Sequence, residues 1–167
     1  PTFEPLALQA KESFFIWSTR GLVNIEHNRK EIELELIETK PDVLIIDPML
    51  NFHNYNENDA QEMGQFFRFL DYLKESYNIA IIMAHHFKKS QPGPPNSQKA
   101  SLLDQIRGSS ALRGWAVTTI AMEGRTASEY RELHFDTRNS DEPFKRGIKY
   151  NRKTKDFDWH DPMAVMT

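Results

Sequence analysis

The sequence predicts an α/β fold with a mostly parallel sheet and an antiparallel hairpin at its carboxyl end. Three observations predict it. Strand and helix signals alternate along the chain, two strand signals are continuous aliphatic runs, and the last two are separated only by a short polar turn.

The elements follow in order. Ser13-Phe14-Phe15-Ile16-Trp17-Ser18 is a short apolar and aromatic run, read as a strand. From about Asn28 to Thr39, Ile32, Leu36 and Ile37 fall at helical spacing, with Glu31, Glu33, Glu35 and Glu38 on other faces. Lys40-Pro41 ends that helix, because proline disfavours helical geometry in the residue before it. Val43-Leu44-Ile45-Ile46, between Asp42 and Asp47, suits a strand buried on both faces. Asn58 to Ser76 reads as a long helix. Its apolar stripe is Met63, Phe66, Phe67, Leu70 and Leu73, and Asn58 or Asp59 is its N-cap. Ile79 to Ala84 is a second aliphatic strand. Strand, helix, strand with tight connections is a βαβ unit, so a parallel pair is expected. Phe87 to Lys99 contains Pro92-Gly93-Pro94-Pro95-Asn96-Ser97 and is expected to be a loop, either functional or mobile. A short helix over Ser109–Gly114 precedes strands at Ala116–Met122 and Tyr130–Thr137. Lys145–Tyr150 and Phe157–Trp159 form the terminal hairpin, turning at Lys153–Asp156.

Composition narrows the function. The 167 residues suit one domain, and 39% hydrophobic residues suffice for a core. There is no cysteine, which excludes disulfides, thiol catalysis and cysteine-ligated metal centres. No apolar run approaches the ~20 residues of a membrane helix, so a cytoplasmic protein is the expectation. The formal charge of −3 excludes a uniformly basic nucleic-acid binder. It hides an uneven distribution. Residues 1–62 carry 5 basic and 12 acidic side chains. Residues 88–107 carry Lys88, Lys89, Lys99 and Arg107 against Asp104. Residues 138–155 carry seven basic side chains against Asp141 and Glu142.

Three segments can carry chemistry. Asp47 closes the first aliphatic strand, and ligands of open α/β sheets bind at the carboxyl ends of strands. A carboxylate there can hold Mg²⁺ beside nucleotide phosphates, although the same residue also reads as a capping Asp. His85-His86 closes the second strand, where histidine can donate to a phosphate oxygen or orient a water. Adjacent residues on an extended chain point to opposite faces, so one of the two is expected to face the site. Gln105-Ile106-Arg107-Gly108-Ser109-Ser110 joins the loop to the short helix. Arg107 can reach a phosphate there, or it and Arg113 can be ordinary solvated arginines.

The order of these segments resembles the second half of a RecA-like, P-loop ATPase core. The likeness is to hexameric replicative helicases of the RepA and DnaB type and covers roughly Asp42 to Leu112. Asn51-Phe52-His53 and Glu57-Asn58 also look like the RepA pattern. The resemblance implies a three-layer αβα core, ATP and Mg²⁺ as cofactors, single- or double-stranded DNA as partner, and a homo-oligomer, a hexameric ring. It implies that Asp47 is the Walker B carboxylate that holds the metal and, with His85, the nucleotide. His86, or His85 in its place, is then the sensor coupling phosphate state to DNA. The 87–105 segment corresponds to a DNA-contacting loop, with Lys88, Lys89, Lys99 and Arg113 suited to phosphate contacts. Arg107 matches an arginine that acts across a subunit interface. Arg138 competes for that role, since Glu132 to Asn139 looks like the DnaB-type strand ending Lys-Gln-Arg-Asn, with Asp136 where the family has Lys.

The sequence departs from that family in two ways. None of its seven glycines gives Gly-Lys-Ser or Gly-Lys-Thr, the end of the phosphate-binding loop. The catalytic Glu that follows that loop has no match beyond Glu4, Glu12 or Glu26. The chain also opens on Pro1 rather than Met. A RecA-like domain truncated at its N-terminus is the expectation, with little ATP hydrolysis by this chain alone. A degenerate, non-catalytic module binding DNA or a partner ATPase is the alternative. A metal-dependent phosphodiesterase using Asp42, Asp47, His85 and His86 is a third reading. It is opposed by the placement of Asp42 and Asp47 at opposite ends of one strand, about 16 Å apart.

Overall fold

The computed structural model describes residues 13–17, 24–25, 27–86, 110–123, 129–139 and 144–160. They fall into two compact units. The first is built from the described residues between 15 and 86 together with 110–115, and the second from those between 116 and 160 together with 13–14.

In the first unit, helix α1 spans Arg29–Thr39. The Asn28 side chain accepts a hydrogen bond from the Asn24 backbone N–H at 3.0 Å, which folds the approach to the helix. Lys40 ends it in a left-handed conformation, φ 45°, with its N–H donated to the Leu36 carbonyl, and Pro41 follows. Ile32 and Leu36 are buried as expected, whereas Ile37 is exposed.

Strand β1 is Val43–Ile46, and a short 3-10 turn follows at Met49–Asn51. Helix α2, Ala60–Tyr77, is capped by Asp59, whose carboxylate accepts from the N–H groups of Gln61 and Glu62 at 2.8 and 3.0 Å. The whole expected stripe of α2 is buried, with Phe69 added. Asn78 terminates α2 in a left-handed conformation, φ 52°. Strand β2, Ala80–Met83, then pairs parallel to β1, from Val43 opposite Ala80 to Ile46 opposite Met83. Helix α3, Ser110–Trp115, lays Ala111, Leu112 and Trp115 on the same core. The Trp115 ring stacks on Phe67 at 5.1 Å between centroids.

Burial corrects one expectation about the parallel pair. Its strands are not covered on both faces. Leu44 and Ile46 of β1, with Ile81 and Met83 of β2, pack on the core, while Val43, Ile45, Ala80 and Ile82 are exposed. Strand side chains alternate, so covering one face leaves every second residue bare, however aliphatic the run.

The second unit is a four-stranded antiparallel sheet in sequence order: β3 Thr118–Glu123, β4 Tyr130–Thr137, β5 Phe144–Asn151 and β6 Asp156–His160. Aromatic pairs fix its register. Phe135 lies opposite Phe144 with rings stacked at 4.7 Å, and Tyr150 lies opposite Phe157 at 4.9 Å. The turn between β5 and β6 is shaped by Asn151. Its side chain accepts from the N–H groups of Lys153 and Thr154, and Lys155 takes a positive φ of 62°.

The described strands are therefore mostly antiparallel, four against two, and the expected hairpin is the end of a larger meander. Residues 13–17 form no strand. Phe14, Phe15, Ile16 and Trp17 are exposed there, because an apolar run without a strand partner has no ladder to join. The expected loop at 87–105 lies outside the described residues.

Candidate active site

The carboxyl ends of β1 and β2 are joined beyond their ladder. Ala84 donates its N–H to the Ile46 carbonyl at 2.9 Å and accepts the Met49 N–H at 2.9 Å. These bonds bracket Asp47, which is exposed at the strand end with a cis peptide bond to Pro48. Residues 85 and 86 follow Ala84 directly, so Asp47 and both histidines share one edge of the parallel pair. Asp42 lies at the other end, where its carbonyl accepts from Ala80 N–H at 2.9 Å.

The two histidines have different surroundings. His86 is exposed. The His85 side chain is only 9% exposed, and its Nδ1 lies 3.8 Å from Oε1 of Glu57, whose side chain is 10% exposed. Glu57 arrives from the loop between the 3-10 turn and α2. That loop is held by its own polar groups. Asn56 N–H donates to Glu62 at 2.7 Å, Asn58 N–H donates to the Asn56 side chain at 3.1 Å, and Asp59 N–H donates to the Asn56 carbonyl at 2.9 Å. His53 is buried nearby in sequence, its ring 4.6 Å from Phe66 and 5.9 Å from Tyr55 between centroids.

Sequence reasoning placed Asp47, His85 and His86 together, and the strand register does so. It did not assign Glu57 a role. A carboxylate two residues before a helix N-cap reads as part of the cap, and nothing local links it to a histidine on another strand. Lys88, Lys89, Lys99 and Arg107 lie outside the described residues. Arg113 is exposed on α3. Arg138 belongs to the second unit, where it is exposed just after β4 and donates its backbone N–H to Val117 at 2.9 Å.

Two other groupings can bind ligands. On the second sheet, donor atoms of Glu123, Glu132 and His134 lie within 4.8 Å of one another. Lys145 already supplies a cation there, its amine 2.9 Å from Glu132 Oε1, the same oxygen that lies 2.7 Å from His134 Nε2. The Lys145 hydrogen bond holds the Glu132 carboxyl below the usual range, against the opposing effect of its partial burial. In the first unit a cleft of about 570 Å³ runs between α1 and α2, lined by Arg29, Glu33, Gln65, Arg68, Phe69 and Tyr72. The Arg29 guanidinium sits 4.6 Å over the Phe69 ring.

Residues 5–92, more than half of the chain, match the family model described as AAA domain. The chain belongs to this family. It is thus an AAA-type, P-loop ATPase domain, a class whose function is nucleotide binding, often with Mg²⁺. The AAA match takes in α1, β1, α2 and β2, and with them Asp47, Glu57, His85 and His86, whereas α3 and the four-stranded sheet lie outside it. No curated protein matches the chain. No helix among the described residues is long and apolar enough to cross a membrane.

Proposed function

We propose that this AAA domain is part of a RecA-like, ATP-hydrolysing motor that acts on DNA, of the hexameric RepA and DnaB helicase type. One observation carries the reading. The paired backbone bonds of Ala84 set Asp47 and the two histidines on one carboxyl edge of parallel strands, where phosphates bind in open α/β sheets. Their sequence order supports the same reading, as does the basic segment from Lys88 to Arg107.

The exposed carboxylate of Asp47 is a hard oxygen donor and fits Mg²⁺. When bound, the metal neutralises phosphate charge. Asp47 orients it, and a strand-end histidine senses the terminal phosphate. In this reading Lys88, Lys89, Lys99 and Arg113 bind the DNA backbone without reading bases. Arg107 or Arg138 acts on the nucleotide of a neighbouring subunit in the ring.

Calorimetry with Mg–ADP tests the nucleotide site on the full chain. Wild type is expected to bind in an Mg²⁺-dependent way, and Asp47→Ala to lose about tenfold in affinity, ~1.4 kcal/mol. Equal Mg²⁺-dependent binding by both proteins overturns the assignment of Asp47.

A second reading has its own support. The 167 residues contain no Gly-Lys-Ser or Gly-Lys-Thr, the loop that binds most of the phosphate charge. A RecA-like module without it binds DNA or a partner ATPase and does not turn over ATP. DNA binding without Mg–ADP binding favours this version.

A further inference from the structure

Glu57 is the carboxylate that the strand-edge chemistry leaves unused. It is nearly buried, and a buried carboxylate needs a polar or cationic neighbour. The neighbour it meets is His85 Nδ1 at 3.8 Å, itself nearly buried. That separation is too long for a hydrogen bond. Contacts of catalytic groups are often long before substrate binds and shorten in the complex. The backbone on either side of Glu57 is fixed by the Asn56 bonds and the Asp59 cap, so its side chain approaches from a braced loop. His86, by contrast, is exposed and makes no hydrogen bond or ion pair among the described residues. A group that reports phosphate state must be held in one orientation by the residues behind it.

We propose that Glu57 is a positioning residue for His85: its carboxylate keeps the proton on Nδ1, which makes Nε2 the lone-pair nitrogen and His85, rather than His86, the sensor of the strand edge. The sensor role rests on the nucleotide reading given above. The Glu57–His85 coupling does not. A carboxylate on one ring nitrogen fixes the tautomer and thereby what the other nitrogen can do. With Nδ1 protonated, Nε2 accepts a hydrogen bond and can orient a water beside the terminal phosphate. With the opposite tautomer it only donates.

Long-range proton–nitrogen NMR of the full chain resolves the two ring nitrogens. It is run near pH 8, about where free histidine is neutral. Wild-type His85 is expected to be mainly Nδ1-protonated. Glu57→Ala is expected to move the tautomer ratio about fivefold toward Nε2–H, because a carboxylate 3.8 Å away attracts a proton onto the nitrogen that faces it even without a hydrogen bond. Glu57→Gln keeps an acceptor oxygen at the same volume and is expected to restore the wild-type ratio. A purely structural role predicts no such rescue pattern. A wild-type His85 that is Nε2-protonated, or a ratio indifferent to Glu57→Ala in a protein that retains its helical circular dichroism, overturns the coupling. Mg²⁺ with a non-hydrolysable ATP analogue, which keeps the terminal phosphate, is then titrated into the same sample. Displacement of the His85 Nε2 resonance supports its sensor role, and displacement of His86 alone overturns it. If Glu57 controls the tautomer and the Mg²⁺-bound ATP analogue moves neither histidine, the nucleotide reading falls while the coupling stands.

Discussion

Trp115 donates its indole N–H to the Asp71 carboxylate at 2.9 Å, tying α3 to the middle of α2. The same indole lies flat against Phe67, with 12° between the ring planes. A six-residue helix is too short to persist by its own hydrogen bonds, so its tertiary contacts hold it, this clamp together with the packing of Ala111 and Leu112 on the core. Trp115→Phe keeps an aromatic ring against Phe67 but removes the hydrogen bond and part of the stacked area, for an expected loss of about 1–2 kcal/mol. Trp115→Ala removes both, for about 3–4 kcal/mol. Urea unfolding followed by circular dichroism measures the two, and equal losses contradict the division between stacking and hydrogen bonding.

The second sheet carries an acid-side stability contribution at Glu132. Its folded-state carboxyl titrates below the ordinary value, chiefly through the Lys145 hydrogen bond. The contribution is therefore present above the ordinary glutamate value and lost as the pH falls through the depressed one. Lys145→Met is expected to return Glu132 toward the usual carboxylate range and flatten the acid limb of the stability profile. Carbon NMR titration of the Glu132 carboxyl reads this directly. An unchanged midpoint in the variant removes Lys145 as the cause.

Tyr77 has the opposite sign. Its partial burial, and then the Glu33 carboxylate 3.2 Å from its hydroxyl, hold the phenol above its ordinary value. This contribution is present below the ordinary phenol value and lost as the pH rises through the raised one. Glu33→Gln is expected to lower the Tyr77 midpoint, seen as earlier phenolate absorbance in an alkaline titration. Tyr77→Phe removes that transition and identifies it.

If the proposed DNA contact is correct, Lys88→Glu with Lys89→Glu weakens binding to all sequences alike. It also reduces the slope of log affinity against log salt by about 0.9 per lost duplex contact. Fluorescence anisotropy on two unrelated oligonucleotides across a salt series checks both. A loss confined to one sequence contradicts backbone-only contact.

The parts that the sequence made legible are those where one local pattern has one solution. Met63, Phe66, Phe67, Leu70 and Leu73 repeat at helical spacing behind a capping Asp59, and all five are buried. The hairpin of β5 and β6 was legible as well, from two strand runs on either side of a short polar turn. Facing was less legible. Val43 and Ile45 are as aliphatic as Leu44 and Ile46, and an unbroken run does not say which face is covered. The 13–17 segment carries aromatic strand formers, but strand formation depends on a partner that composition does not name. At the site, Asp47 and His85 could be placed because each ends a strand. Glu57 could not, since its meeting with His85 is set by the path of the loop between β1 and α2.

Ala84 uses both of its backbone hydrogen-bonding groups on Ile46 and Met49, which bracket Asp47 and Pro48. Main-chain hydrogen bonds thus join the Asp47 turn to the residue that precedes the histidine pair. A shift of the main chain at Asp47 is expected to reach His85 through these bonds. The stiffness of that linkage depends on an N–H and a carbonyl rather than on the methyl group. It should therefore tolerate Ala84→Ser and fail with Ala84→Pro, which lacks the N–H.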